Sequence, residues 1–402
     1  MKKEGKAAFV ILFVVLAIFF IGFLIFRSRF GGIRQIREIG QVKKDEVEEV
    51  LERLSLEQKV GQVVLTGLDF SGQACSFGRP GLSCLTGEER EMIKQASVGG
   101  FILLSKNIQS PEQVKSLTSE IQAVATISAT RELPILISVD QEGGSVTRVN
   151  FEGFETTGQW QIKSESQAFE IGKKRGIQLK SLGIDVNFSP VVEVLRNKNS
   201  YLGQTGRYFA GNEEKVAQLS EAMVRGMGES GVIGVIKHFP GGLGRIGSNP
   251  HDVLPEINIE REDLEQDLSA FRELIGIRRI REIGHIGGIM ITHLLYPAID
   301  KENPAAVSKV FIEEFLRDEL GLDGVVIVDD LNMGAVTKNF DPAEYGLRTI
   351  KAGADMVIVI DVDIAERFKK RVKQAVEEGE LSEERLDEAV RRVLRLRFKV
   401  TR

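Results

Sequence analysis

The sequence predicts an α/β chain folded as a (β/α)8, TIM-like barrel preceded by one N-terminal transmembrane helix. Three observations carry that prediction: eight apolar runs of strand length, amphipathic helical segments between them, and one unbroken apolar stretch near the N-terminus. The strand candidates are Gly61–Leu68, Gly100–Ser105, Pro134–Asp140, Ile184–Pro190, Val232–His238, Gly288–His293, Gly324–Asp329 and Asp355–Ile360. They are rich in Val, Ile and Leu without strict alternation, the pattern of strands buried on both faces. Strand and helix alternating eight times is the signature of a closed parallel barrel. The alternative, an open doubly wound sheet, calls for a Gly-rich phosphate loop after an early strand, and Gly143–Gly144 behind Asp140 does not fit G-x-G-x-x-G.

Taken in order, the chain begins with Ala7–Phe26, apolar throughout, flanked by Lys2, Lys3 and Lys6 before it and Arg27 and Arg29 after it. About 20 apolar residues at about 1.5 Å each span a bilayer core of about 30 Å. A cleaved signal peptide is the other reading. Its apolar region is usually about 7–15 residues and ends in small residues, whereas Phe23, Leu24, Ile25, Phe26 and Arg27 occupy that place here. Residues 1–30 are therefore expected to be a membrane anchor, 31–44 a charged linker, and 45–402 the barrel domain. With cations at both ends, the positive-inside rule does not orient the anchor. Cys75 and Cys84, the only cysteines, lie in the Gly/Ser/Pro-rich stretch Ser71–Gly87. They form a disulfide if that loop faces an oxidising compartment, and otherwise remain thiols.

The segments between strands have helical periods. Asn212 is placed to cap a helix with Glu213 and Glu214 in its first turn and a stripe of Val216, Leu219, Met223 and Met227. Phe311, Ile312, Phe315, Leu316 and Leu320 form a similar stripe before the seventh strand. Two helices, near Ile364–Glu378 and Glu383–Lys399, follow the last. A net charge of −5 and a pI near 5.7 argue against a nucleic-acid partner, which would need a basic face.

In a barrel of this kind, chemistry sits at the C-terminal ends of strands. The third candidate runs into Asp140, Gln141 and Glu142, the fourth into Asn187, the fifth into Lys237 and His238, the sixth into Thr292 and His293, and the seventh into Asp329 and Asp330. Of the four histidines, three (His238, His251 and His293) fall at or near such ends. There is no Cys nucleophile, no Gly-x-Ser-x-Gly elbow, and no His/Glu spacing that calls for a metal or cofactor. Carboxylates facing Lys and His suit glycoside hydrolysis, or proton abstraction and Schiff-base chemistry on a lysine. Adjacent on one strand, Lys237 and His238 are expected on opposite faces unless the backbone bends.

These residues also resemble a known family. Lys237-His238-Phe239-Pro240-Gly241, with His251 ten residues on and Leu254-Pro255 after it, is similar to the signature of glycoside hydrolase family 3, in particular its single-barrel β-N-acetylhexosaminidase branch. The resemblance continues in Leu54 to Gln62, Asp140-Gln-Glu-Gly-Gly144 with Arg148, Asn187-Phe-Ser-Pro190 and Gly206-Arg207-Tyr208-Phe209. It extends through Thr292-His293, Val328-Asp329-Asp330-Leu331 and Ala352-Gly-Ala-Asp-Met356. It implies a carbohydrate substrate and no cofactor. Asp329 is implied as the nucleophile of a retaining reaction, His251 as general acid/base, and Asp140, Arg148, Arg207, Lys237 and His238 as groups that bind the sugar.

Three departures from the family pattern stand out. The Asp normally found two residues before the catalytic His is Asn249, which can accept a hydrogen bond from the imidazole but cannot stabilise its charge; Asp252 is a candidate stand-in. Gly242-Leu243-Gly244 replaces His-Gly-Asp in a loop one residue longer. Ser71–Gly87 reads as an insertion. The expected function is exo-acting removal of terminal β-linked N-acetylglucosamine from peptidoglycan-derived or related glycans, by an anchored domain facing outward from the cytoplasm. A glycan-binding pseudoenzyme and a phosphorylase-like enzyme are the alternatives.

Overall fold

The computed structural model describes residues 46–68, 85, 87–96, 98–125, 133–276 and 286–400. The apolar run Ala7–Phe26, the linker and both cysteines lie outside these residues. Among the described residues no helix is long and apolar enough to cross a membrane.

Eight parallel strands close into a barrel: β1 (Val64–Thr66), β2 (Gly100–Leu103), β3 (Leu136–Val139), β4 (Val186–Asn187), β5 (Ile233–Phe239), β6 (Ile286–Ile291), β7 (Val325–Val328) and β8 (Met356–Val359). Each pairs with its neighbour in sequence, and Leu65 of β1 completes the ring by pairing with both Gly100 and Ile358. The expected strands are all present. The first begins later than expected, because Leu56–Gln62 is helical. Ser55 starts that helix with a reciprocal cap: its hydroxyl accepts from the Gln58 N–H at 3.3 Å, and the Gln58 side chain accepts from the Ser55 N–H at 2.9 Å.

The interior is a continuous apolar plug of side chains from every strand, among them Leu65, Ile102, Leu136, Val186, Ile233, Met290, Ile327 and Ile358. The last helix, Glu383–Val400, adds Val393, Leu396 and Val400 to it. Close packing of this kind favours apolar side chains inside, and the charged groups gather at the strand ends. The helix Glu213–Gly228 starts as expected, with the Asn212 side chain accepting from the Lys215 N–H at 3.1 Å and Val216, Leu219, Met223 and Met227 buried. At the start of β8, fully buried Asp355 accepts from Arg317 and Arg392 and from the Val326 N–H. That motif residue belongs to the framework, at the end of the strands opposite the site.

Candidate active site

Asp140, Arg148, Arg207, Lys237, His238, His251 and Asp329 all line one cavity at the C-terminal ends of the strands, together with Glu142, Tyr201, Leu243, Pro250 and Met333. The cavity encloses ≈ 170 Å³, smaller than the roughly 300–1,000 Å³ that houses a drug-sized ligand. It is built from the ends of β3, β5, β6 and β7 and from the segments that follow β3, β4, β5 and β7.

One wall is a locked charge cluster. The Lys237 ammonium lies 2.6 Å from Asp140 Oδ1 and 2.6 Å from Glu142 Oε1. Arg207 grips Glu142 with two parallel N–H donors, Nε and Nη2, each at 2.8 Å. Burial opposes ionisation of Glu142, but the Arg207 and Lys237 charges overcome it and hold the carboxyl well below its usual range. The same pairs keep Lys237 and Arg207 protonated against the desolvation that opposes their charge. Arg148 differs: its Nε is buried without a hydrogen bond, and it has no ion-pair partner among the described residues. Among the described residues that line the cavity, it is a cation left open to a ligand.

Lys237 and His238 were expected on opposite faces of β5. The peptide between them is cis, and both side chains line the cavity. Glu193 accepts from His238 Nδ1 at 2.7 Å, which turns Nε2 toward Arg207 Nη2 at 3.1 Å. The other Glu193 oxygen accepts from the Leu243 N–H at 2.8 Å, tying His238 to the base of the following loop. Glu142 was placed at a strand end from sequence but given no role, and Glu193 was not singled out. Glu142 had a signal, since it sits two residues after Asp140 on an extended segment and so shares its side. Glu193, between Val192 and Val194, had none.

Across the cavity, Asp329 follows β7. One oxygen accepts from the Asp330 N–H at 2.9 Å and the other from the Thr292 hydroxyl at 3.3 Å. Burial works against its charge, yet the imidazoles of His238, His293 and His251 and the Asp330 amide hold its carboxyl below the ordinary value. His293 braces the backbone here. Its Nε2–H points at the carbonyls of Asp329 and Asp330, at 3.1 and 3.3 Å, while Nδ1 meets the Tyr345 hydroxyl at 3.1 Å. Burial lowers the His293 pKa, opposed by the charge of Asp329 and by the two carbonyls.

His251 is exposed at the mouth. Among the described residues its imidazole has no hydrogen-bond partner. The expected contact from Asn249 is absent: Asn249 Oδ1 accepts from the His251 backbone N–H at 3.1 Å, and Nδ2 donates to Asp252 Oδ2 at 2.9 Å. The Asn249 amide thus shapes the turn instead of facing the ring, and Asp252 is occupied by it. In the substituted Gly242-Leu243-Gly244 stretch, the Gly244 carbonyl accepts from the amides of Arg196 and Asn197, which fixes the loop base.

Known proteins with similar sequences and folds place the chain in a family. A β-hexosaminidase A of Pseudoalteromonas piscicida is 31% identical over 379 residues, 86% of this chain and 62% of that protein. A β-hexosaminidase of Nitrosomonas eutropha is 34% identical over 71% of this chain and 80% of its own length. The structure of a family 3 β-N-acetylglucosaminidase from Paenibacillus sp. str. FPU-7 superposes with a TM-score of 0.77 at 34% identity, covering 87% of this chain and 63% of that one. The chain therefore spans less than two thirds of two of these three relatives. Residues 55–396 match the glycosyl hydrolase family 3 N-terminal domain, and the chain belongs to that family.

Proposed function

We propose that this chain is a retaining glycosidase that removes terminal β-linked N-acetylglucosamine, or a related N-acetylhexosamine, from peptidoglycan-derived or related glycans. The observation that carries the reading is the sharing of one cavity by an ionised, buried-side carboxylate (Asp329), an imidazole at the mouth (His251) and a wall of fixed charged groups. The names of the β-hexosaminidase and β-N-acetylglucosaminidase relatives support the substrate class.

In the first step an Asp329 oxygen attacks the anomeric carbon as the bond to the leaving oxygen breaks, and protonated His251 gives its proton to that oxygen. In the second, His251 takes a proton from water, whose oxygen attacks the same carbon and releases Asp329. Two displacements retain configuration. The depressed pKa of Asp329 keeps it a carboxylate at neutral pH, ready to attack. Asp140, Lys237, His238, Arg207 and the open Arg148 guanidinium hold the hydroxyls and N-acetyl group by charge-assisted hydrogen bonds. The Ala7–Phe26 run anchors the domain at a membrane, outside the cytoplasm.

The test is turnover of an aryl N-acetyl-β-glucosaminide, with and without phosphate. Wild type should release free N-acetylglucosamine, and Asp329→Ala should lose about 10⁴-fold or more in kcat. A fluorinated N-acetylglucosaminyl inactivator should label the peptide carrying Asp329. A label elsewhere, or full turnover by Asp329→Ala, sinks the mechanism. A sugar 1-phosphate as product would make the enzyme a phosphorylase, and binding without turnover a pseudoenzyme.

A further inference from the structure

The segment that carries Asp329 also carries a seat for the His251 loop. Beyond Asp329 the chain passes Met333, which lines the cavity, and enters the short helix Gly334–Thr337. The backbone of the His251 loop rests on it. The Gly334 N–H donates to the His251 carbonyl at 2.9 Å and the Ala335 N–H to the Pro250 carbonyl at 3.0 Å. The Lys338 ammonium donates to the Asp252 carbonyl at 2.7 Å. Three consecutive carbonyls, one of them that of His251 itself, are thus held by three donors from one segment.

The approach is close enough to demand glycine. A Cβ at Gly334 would lie 2.5 Å from the His251 carbonyl oxygen and 2.8 Å from that of Asp252. By contrast, among the described residues no carboxylate orients the imidazole, and Asn249 spends its amide on the turn. Orientation of His251 therefore has to come from its backbone.

We propose that Gly334 and Lys338 are positioning residues for His251: the seat on the Asp329 segment sets the imidazole against the nucleophile, in place of a carboxylate partner. Since Asp329 and the seat belong to one stretch of chain, the spacing of the two reacting groups is fixed locally. This inference rests on His251 acting as acid/base.

The experiment compares Gly334→Ala, Lys338→Met and His251→Ala on aryl N-acetylglucosaminides with a poor and a good leaving group, with and without azide. A misplaced general acid matters when the leaving group needs a proton and hardly at all when it does not. His251→Ala should lose about 10²–10⁴-fold on the poor leaving group and far less on 2,4-dinitrophenol. Gly334→Ala should lose about 10²-fold in the same pattern, as expected for a displacement of about 1 Å. Lys338→Met, at an exposed position, should fold normally and show the pattern more weakly. Azide should restore turnover in each and yield the β-glycosyl azide. Equal losses on both substrates without azide rescue, or no loss in Gly334→Ala and Lys338→Met, overturn the seat. If Gly334→Ala fails to fold, Lys338→Met decides alone by the same criteria. If His251→Ala itself shows neither leaving-group dependence nor azide rescue, the acid/base assignment falls and the seat falls with it.

Discussion

Asp330 stands beside Asp329 with the opposite electrostatic fate. Burial pushes its carboxyl up to about 7, aided by the charges of Asp329 and Asp361 and opposed by the N–H groups of Asn332 and Ile360. Its folded pKa therefore lies above the unfolded value near 3.8. Between these values the folded chain holds a proton that the unfolded chain has lost, so Asp330 lowers stability as pH rises from about 4 to 7 and carries its full penalty above that. Asp330→Asn keeps the oxygen that accepts from Asn332 and Ile360 and removes the charge. The variant should be more stable than wild type at pH 8 by about 1–3 kcal/mol and equal to it near pH 4, as read by thermal melting at the two pH values. No difference at pH 8 would mean that the carboxyl is ionised at no cost. At this scale the sequence was informative wherever a polar residue ended an apolar strand, as with Asp140, Lys237 and Asp329. It was silent on Glu193, whose position beneath His238 depends on a chain crossing that no period marks. It was misleading at Asn249, because a side-chain amide has as many local backbone partners as distant ones.

Elements meet more closely than their patterns disclose. The helices Glu165–Ser181 and Glu213–Gly228 touch backbone to backbone through glycine: a Cβ on Gly226 would lie 2.1 Å from the Phe169 carbonyl oxygen, and one on Gly172 would lie 2.2 Å from that of Met223. The apolar stripe of the second helix was legible, because burial on one face imposes a period of 3.6 residues. The glycine contact was not, because a missing side chain leaves no periodic trace. Gly226→Ala must part the two helices or strain them, and should cost about 1–3 kcal/mol. A lowered melting temperature with unchanged kcat per folded molecule is the expected result, since neither helix supplies a group that lines the cavity. An unchanged melting temperature would show that the pair separates freely. The first strand illustrates the converse limit: Ser55 and Gln58 form a complete capping box, yet the run of apolar residues into Leu65 looked like one strand because the helix and strand share it.

For the whole molecule, the barrel was legible because eight buried strands must each read as an apolar run, and closure leaves no edge strand to break the pattern. What the barrel does not determine is where the chain works. We propose that this is decided by Ala7–Phe26, whose length matches a bilayer core and which has no polar face with which to join a water-soluble core. Such a segment, uncleaved, should hold the full chain in the membrane pellet through an alkaline carbonate wash and release it only with detergent. Leu16→Lys with Phe20→Lys places two charges near the middle of the run, at a cost of about 2.5–3.5 kcal/mol each in the bilayer. That variant should move to the soluble fraction while turning over the aryl N-acetylglucosaminide as wild type does, because the described residues that line the cavity all lie between Asp140 and Met333. A wild-type chain found in the carbonate supernatant, or one whose N-terminus is found beyond Phe26, would mean that the run is a secretion signal, and the enzyme would then be released from the membrane it crossed.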